Sequence, residues 1–213
     1  MSQFKEAIRT CTQPIADLIE KTTNPLHIAI LENYRRHIHL EGSGQFDKII
    51  ASDMTVDHPV YRITWGENPM VVEEKAGVVD FYNIAAQSVL WHSDELLAVA
   101  DWGIADELTF HQLIKGQALL DLGFHVDDPE KIYHYSSRQV FLWPYDSETA
   151  RLKGEHLYED KTTVVIEEVA DEDLITTAEV AQIHKEVLER LEAGRPDKYW
   201  TLEVVKQQLA SKV

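Results

Sequence analysis

The sequence predicts an α+β fold in which helices cover one face of a strongly bent antiparallel sheet. Three observations indicate it: helical periodicity up to Gly42-Ser43-Gly44, long β-rich segments between residues 89 and 169, and connections too short for parallel crossovers. The concave side of such a sheet would form a pocket.

The amino-terminal half is predicted to be mainly helical. Apolar residues at helical spacing predict an amphipathic arm over residues 4–21, which Pro14 would kink. Asn24 followed by Pro25 predicts the start of a second helix that ends at the Gly42-Ser43-Gly44 segment. A helical turn is then expected at 46–51, a strand at 55–64 and a helix at 77–87.

The following segments predict an antiparallel meander and two more helices. Strands are expected at 89–101, 104–119, 132–143, 150–158 and 162–169. Thr176-Thr177-Ala178-Glu179 is a capping box that begins a helix to about residue 193, and a last helix is expected at 201–211. We interpret residues 1–213 as one domain, with a helical arm at 1–22, a core at 23–169 and carboxy-terminal helices at 170–213.

Composition and charge exclude several classes of partner. The chain of 213 residues has 20 Lys and Arg against 37 Asp and Glu, and this net charge of −17 disfavours nucleic acid and anionic membranes. The single cysteine, Cys11, permits no internal disulfide and no cysteine-based zinc site. No apolar run approaches the roughly 20 residues of a membrane span. We therefore expect a cytoplasmic protein with a small-molecule partner.

Motif searching is negative for several common chemistries. The sequence contains no Gly-x-Gly-x-x-Gly, Walker, Gly-x-Ser-x-Gly or His-Glu-x-x-His pattern, which argues against nucleotide binding, serine hydrolysis and zinc proteolysis. His37 and His39 would point about 200° apart on a helix and could not share one ion. We expect neither metal nor cofactor, since nothing in the spacing of the ten histidines selects a metal. A mononuclear iron or zinc site stays an open alternative, because six of the histidines lie on or near predicted strands: His58, His92, His111, His125, His134 and His156.

Short motifs in a fixed order resemble one known family. They are Tyr34-Arg35-Arg36-His37, Glu41-Gly42-Ser43-Gly44-Gln45-Phe46-Asp47, Val56-Asp57-His58-Pro59, Asp80-Phe81-Tyr82 in a helix opened by Gly77, and Phe141-Leu142-Trp143. Over residues 27–158 the chain resembles the SnoaL-like branch of the nuclear transport factor 2 superfamily. The resemblance implies a curved sheet wrapped around a long helix, which leaves a cone-shaped pocket. Members include steroid isomerases, polyketide cyclases, dehydratases, epoxide hydrolases, lyases and binding modules, so the resemblance does not select one activity.

The resemblance also implies a set of site residues. The two pocket tyrosines of the steroid isomerases fall at His37 and Tyr82, their catalytic aspartate at His58 and their oxyanion-binding aspartate at Gln139. Both carboxyl groups are thus absent at these positions, which argues against steroid isomerisation itself. We expect His58 to be the general base, because imidazole accepts a proton near neutral pH. The other three would donate hydrogen bonds to developing oxygen charge.

Aromatic and cationic residues are expected to complete the site. The candidates for substrate binding are Tyr34, Trp65, Trp91, Trp102, Phe110, Arg138, Phe141, Trp143 and His156. Each has a plain structural alternative, because tryptophan is more often a core residue and a strand cation more often lies on a solvated face.

Two functions are consistent with the sequence. One is a cofactor-independent isomerase, dehydratase or carbon–carbon lyase acting on a hydrophobic, aromatic or polycyclic small molecule. The other is a non-catalytic module that binds a small molecule or takes part in assembly. Polar groups that converge in a closed cavity would favour the enzyme. We also expect a homo-oligomer, dimer or trimer, because relatives commonly associate and the terminal helices could pack between subunits.

Overall fold

The computed structural model describes residues 3–65 and 69–211. In these ranges the chain forms eight α-helices and six strands. The helices are α1 Gln3–Thr10, α2 Gln13–Lys21, α3 Pro25–Gly42, α4 Phe46–Ile49, α5 Glu74–Ala85, α6 Gly116–Asp121, α7 Thr177–Glu192 and α8 Leu202–Ala210. The strands are β1 Val60–Thr64, β2 Met70–Glu73, β3 Val89–Ala100, β4 Gly103–Lys115, β5 Ile132–Pro144 and β6 His156–Glu168.

The six strands form one curved sheet in the order β2-β1-β6-β5-β4-β3. Strands β3 to β6 are an antiparallel meander, and β1 joins β6 in parallel. Register shifts between Ser93 and Leu96 and between Ser136 and Arg138 interrupt the ladders, and such bulges bend a sheet. The predicted α+β class and meander are confirmed.

Helix α3 is the central helix of the fold. The Asn24 side chain accepts a hydrogen bond from the Leu26 amide (2.9 Å), and Pro25 occupies the first turn, where its missing N–H costs nothing. The helix packs against α7 and α8 on one side and against β3 and β4 on the other. Because it is enclosed, its polar side chains must find partners inside the protein.

The amino-terminal arm differs from the single kinked helix predicted over residues 4–21. It is two helices, α1 and α2, separated at Cys11 and Thr12. Pro14 lies in the first turn of α2, and without an N–H it cannot continue the hydrogen bonds of the preceding helix. Helix α1 then packs against α7 and β3.

Four further segments depart from prediction. Strand β1 begins at Val60, so residues 55–59 are turn and coil, and residues 150–155 precede β6 rather than forming a strand. Ala150 and Gly154 have φ angles of 57° and 155°, outside the β region. Strand β2 and helix α6 were not predicted. None of the helices in the described ranges is long and apolar enough to cross a lipid bilayer.

Candidate functional site

A cavity of about 390 Å³ lies between the inner face of the sheet and helices α3, α5 and α7. Its volume falls in the range of small-molecule sites. Most of its wall is apolar, with aromatic rings from Tyr34, Trp65, Phe81, Tyr82, Trp91, Phe110, Phe141 and Trp143. The cavity can therefore hold an apolar ligand and shield most of the ligand surface from water.

Two carboxyl groups reach this cavity. Glu41 comes from the last turn of α3, and Glu155 from the segment just before β6. Glu155 is 4% exposed, whereas the Glu41 side chain is 34% exposed. The cavity thus has one carboxyl group held in the interior and one in contact with solvent.

A line of hydrogen-bonding groups runs alongside these carboxyls. His37 lies one turn before Glu41, and its Nε2 is 3.4 Å from Glu41 Oε2 and 2.8 Å from the Tyr82 hydroxyl. The Tyr61 hydroxyl is 2.8 Å from that of Tyr82. His37, Tyr61 and Tyr82 are fully buried, so the hydrogen bonds between them hold their polar atoms in fixed positions beside Glu41.

The buried groups stay neutral. Burial raises the pKa of Glu155 well above its usual value, and the nearby Glu41 charge raises it further. Burial also raises the pKa of Tyr82, with additional contributions from Tyr61 and Glu41. Burial therefore favours the carboxylic acid form of Glu155 and the phenol form of Tyr82, and in those forms each can donate a hydrogen bond.

Glycine at position 154 lets Glu155 take its place. Gly154 has a φ of 155°, and a Cβ built there would lie 1.8 Å from the backbone oxygen of Val60. The Arg62 amide donates to the Glu155 backbone oxygen (2.7 Å), which starts the parallel β1–β6 pairing. The close backbone approach at Gly154 thus fixes the position of the acid.

A second carboxyl pair lies behind Tyr34, on the sheet side of α3. The Tyr34 hydroxyl donates to Asp106 Oδ2 (2.8 Å). In the β3 bulge Asp94 has a φ of 51°, and the following Glu95 side chain is turned inward and 1% exposed. Burial raises the pKa of both Asp106 and Glu95, and the neighbouring Asp106 raises that of Glu95 further.

We expect Glu95 to make folding stability decrease as pH rises. The unfolded chain loses this proton near pH 4.5, whereas the folded protein keeps it at higher pH, so folding becomes less favourable above that value. Between about pH 5 and pH 8 the unfolding free energy of Glu95→Gln should fall less steeply with pH than that of the unaltered protein. The difference in slope should be up to about 1.4 kcal/mol per pH unit. Urea denaturation at several pH values measures this slope.

The exposed residue Glu20 provides the control for that measurement. Glu20→Gln removes the same formal charge without touching the buried pair, and its slope should equal that of the unaltered protein. Equal slopes for Glu95→Gln and Glu20→Gln would contradict the inferred protonation of Glu95.

Histidines form the wall of the cavity near α7. His92 and His184 line it, and behind them His39 Nδ1 is 3.1 Å from His184 Nδ1. Burial lowers the pKa of His92 and of His184 to about 4 and that of His39 to about 2, so all three imidazoles are neutral at pH 7. In the described ranges no group of three or more His, Cys, Asp or Glu side chains is arranged to hold a metal ion.

The structure overturns the predicted position of His58. Its side chain is 80% exposed and its Nδ1 lies 3.0 Å from the Glu74 carboxylate, away from the cavity wall. Position 58 was assigned to a strand that alternates inward and outward, but the strand begins only at Val60. The expectation that His58 faces the pocket is therefore wrong.

The other three predicted catalytic residues are buried. Tyr82 is on the cavity wall, and His37 is directly behind it. Gln139 is also buried, and its Nε2 donates to Ser137 Oγ (3.1 Å), but it does not line the cavity.

Six of the nine predicted substrate-binding residues are on the cavity wall, and three are not. Those on the wall are Tyr34, Trp65, Trp91, Phe110, Phe141 and Trp143. Trp102 is 48% exposed in the β3–β4 turn. Arg138 lies on the other face of β5, where its Nη2 is 2.7 Å from Glu107 Oε1, and His156 alternates with the cavity-facing Leu157. These three side chains therefore lie outside the cavity wall.

Four polar residues on the cavity wall were not predicted as site residues: Glu41, Glu155, His92 and His184. For Glu41 a signal existed, because it follows His37 by four residues on a helix and so shares its face. Glu155 had no such signal, since it lies in coil outside any periodic pattern.

The architecture is that of an α+β protein whose curved sheet and long central helix enclose a pocket, as the SnoaL-like cone fold predicts. No family model matches the sequence, and no curated protein matches it.

Solved structures show similarity in fold at low sequence identity. The epoxide hydrolase/cyclase-like enzyme SalBIII of salinomycin biosynthesis is 12% identical, with 65% of this chain and 95% of that chain covered and a TM-score of 0.44. A candidate polyketide cyclase from Xanthomonas campestris is 11% identical, with 64% and 94% covered and a TM-score of 0.47. Rv0760c from Mycobacterium tuberculosis, in complex with estradiol-17β-hemisuccinate, is 16% identical, with 67% and 99% covered and a TM-score of 0.41.

Proposed function

We propose that this protein is an enzyme that moves protons on a hydrophobic, aromatic or polycyclic small molecule, as an isomerase, dehydratase or carbon–carbon lyase. One observation carries the proposal: Glu41, Glu155 and Tyr82 meet in an otherwise apolar cavity of about 390 Å³. Such a set of side chains supplies both a proton acceptor and proton donors, so the chemistry needs no group from outside the chain.

The proposed reaction begins with proton abstraction. The Glu41 carboxylate takes a proton from a carbon next to a carbonyl group, and the electron pair moves onto the carbonyl oxygen to give an enolate. Glu155, as a neutral acid, and Tyr82, as a phenol, donate hydrogen bonds to that oxygen. Return of the proton to another carbon gives isomerisation, and loss of a hydroxyl that takes the Glu155 proton gives dehydration.

His37 is the proposed positioning residue. It is fully buried and does not line the cavity, yet it lies within 3.4 Å of Glu41 and 2.8 Å of Tyr82. Since its imidazole touches both groups, it orients the acceptor and one donor relative to each other. The role of general base thus moves from His58 to Glu41.

We expect the protein to accelerate exchange of the α-protons of 2-tetralone in deuterium oxide. This bicyclic aromatic ketone is a probe of the proton step, and its exchange is followed by proton NMR. Tyr82→Phe keeps the ring that stacks on Phe46 but removes the hydroxyl, and it should slow exchange about tenfold. His58→Ala, at an exposed position, should leave the rate unchanged.

Two results would argue against the enzyme. If exchange is no faster than in buffer, the protein does not abstract a proton from this ketone. If Tyr82→Phe and the unaltered protein exchange at equal rates, the Tyr82 hydroxyl takes no part in the mechanism. Tight binding of 2-tetralone without exchange would favour a non-catalytic binding module.

The expected homo-oligomer remains a proposal. Exposed apolar side chains on the outer strand positions support it, since a contiguous patch of that kind is commonly an interface. These residues are Leu96, Val140, Tyr158 and Val165, which are 38–66% exposed.

A further inference from the structure

Four arginines surround an open cleft that is separate from the cavity. Arg9 of α1, Arg35 of α3, Arg190 of α7 and Arg195, just after α7, line this arginine cleft, whose volume is about 590 Å³. None of them lines the cavity proposed as the active site. In a chain with a net charge of −17, this concentration of cations requires a physical reason.

The four guanidinium groups differ in how they are paired. Arg195 is neutralised by the buried Glu32, with Nη1 2.9 Å from Oε2. Arg9 has only a distant carboxylate, Glu6, at 3.8 Å. The Arg190 Nε donates to the Glu186 backbone oxygen. Because that oxygen carries no formal charge, the bond does not neutralise the Arg190 guanidinium.

Arg35 is the least satisfied of the four. Its Nε is buried without a hydrogen-bond partner, and within the described ranges it makes no ion pair with a carboxylate. An unpartnered buried polar group costs free energy, and more so when it carries charge. The Arg35 side chain also lines the cleft, where a bound anion would pair with its charge.

The charge balance of the cleft sets the charge of that anion. Four guanidinium groups face the carboxylates of Glu6 and Glu32, which leaves a surplus of two positive charges (4 − 2). A phosphate monoester carries close to two negative charges above pH 7, and guanidinium groups match its oxygens in a bidentate geometry. A monocarboxylate would leave one positive charge unpaired.

We propose that the arginine cleft binds the phosphoryl group of a soluble phosphorylated small molecule. The volume leaves room for the organic part of such a ligand beside its phosphate. A phospholipid headgroup has the same chemistry, but the net charge of −17 repels the chain from an anionic bilayer. The soluble ligand is therefore the one that the whole molecule favours.

Phenyl phosphate and benzoate are the probes for a calorimetric test at pH 8. We expect phenyl phosphate to bind with an affinity that falls as salt rises, and benzoate to bind at least tenfold more weakly. Arg35→Gln should weaken phenyl phosphate binding about tenfold or more. Arg62→Gln is the matched control, because it removes one exposed guanidinium group on β1, outside the arginine cleft. The affinity of this variant for phenyl phosphate should be unchanged.

Arg190→Gln keeps the test decisive if the half-buried Arg35 cannot be replaced, since Arg190 is exposed and should also weaken binding. Equal affinities for Arg35→Gln, Arg190→Gln and Arg62→Gln would overturn the proposal. So would benzoate binding as tightly as phenyl phosphate, or binding only to vesicles that contain phosphatidic acid. These outcomes do not depend on 2-tetralone exchange, so this proposal and the proposed activity can fail separately.

Discussion

A Glu155→Gln substitution is expected to lower the turnover of the proposed proton transfer about 10² to 10⁴-fold. Glutamine has nearly the same size and can donate a hydrogen bond through its amide, but it cannot release a proton to a leaving hydroxyl or a developing oxygen charge. Because Glu155 is only 4% exposed, water cannot easily replace it as the donor. The measurement is turnover of a β-hydroxy ketone at saturating concentration, because its hydroxyl must take a proton as it leaves. Exchange of 2-tetralone, in which Glu155 only donates a hydrogen bond, should fall less.

The pH profile distinguishes the acid from the base. Activity that depends on protonated Glu155 should fall on the alkaline side as its raised pKa is passed, and Glu155→Gln should remove that limb. Glu41→Gln should instead lower the rate at every pH, because the acceptor is gone. An unchanged profile in Glu155→Gln, in a protein that folds normally, would exclude the proposed role of this acid.

Gly154→Ala is expected to destabilise the protein by about 3 kcal/mol or more. The added Cβ would lie 1.8 Å from the Val60 backbone oxygen, and a backbone atom cannot move aside as a flexible side chain can. Relief requires β1 to shift relative to the segment before β6, and this shift also displaces Glu155. Both the unfolding free energy and the exchange rate should therefore fall.

Gly123→Ala is the matched control for this substitution. Gly123 also has a positive φ (87°), but a Cβ there would meet no atom within 4 Å. Its cost should be limited to backbone strain, about 1 kcal/mol. Urea denaturation of the two variants separates steric conflict from strain, and equal losses would show that the Gly154 contact with Val60 does not matter.

Sequence reasoning succeeded where the signal is local. The Asn24–Pro25 cap and the Thr176–Glu179 capping box predicted the starts of α3 and α7, because each depends on residues within one helical turn. Phe141 and Trp143 were both predicted to bind the substrate, and both line the cavity, since residues two apart on a strand share one face.

Where the structure depends on distant contacts, sequence reasoning failed. The segment around His58 resembles a motif of the SnoaL-like proteins, but β1 begins after it, and the side chain is exposed to solvent. Glu155 becomes a cavity residue only because Gly154 meets Val60, more than ninety residues earlier in the chain. No periodic pattern records a contact of that kind, and the acid of the site was therefore missed.

Helix α7 supplies one side of the recess through Thr177, Val180 and His184, from a segment that follows the last strand. The proposed acid, Glu155, and the proposed base, Glu41, come from other elements, before β6 and at the end of α3. The segment that shapes the cavity and the segments that carry the proposed proton-transfer groups can therefore diverge independently. Substitutions confined to α7 could therefore change which ligand shapes the cavity accepts while the proposed proton-transfer groups stay the same.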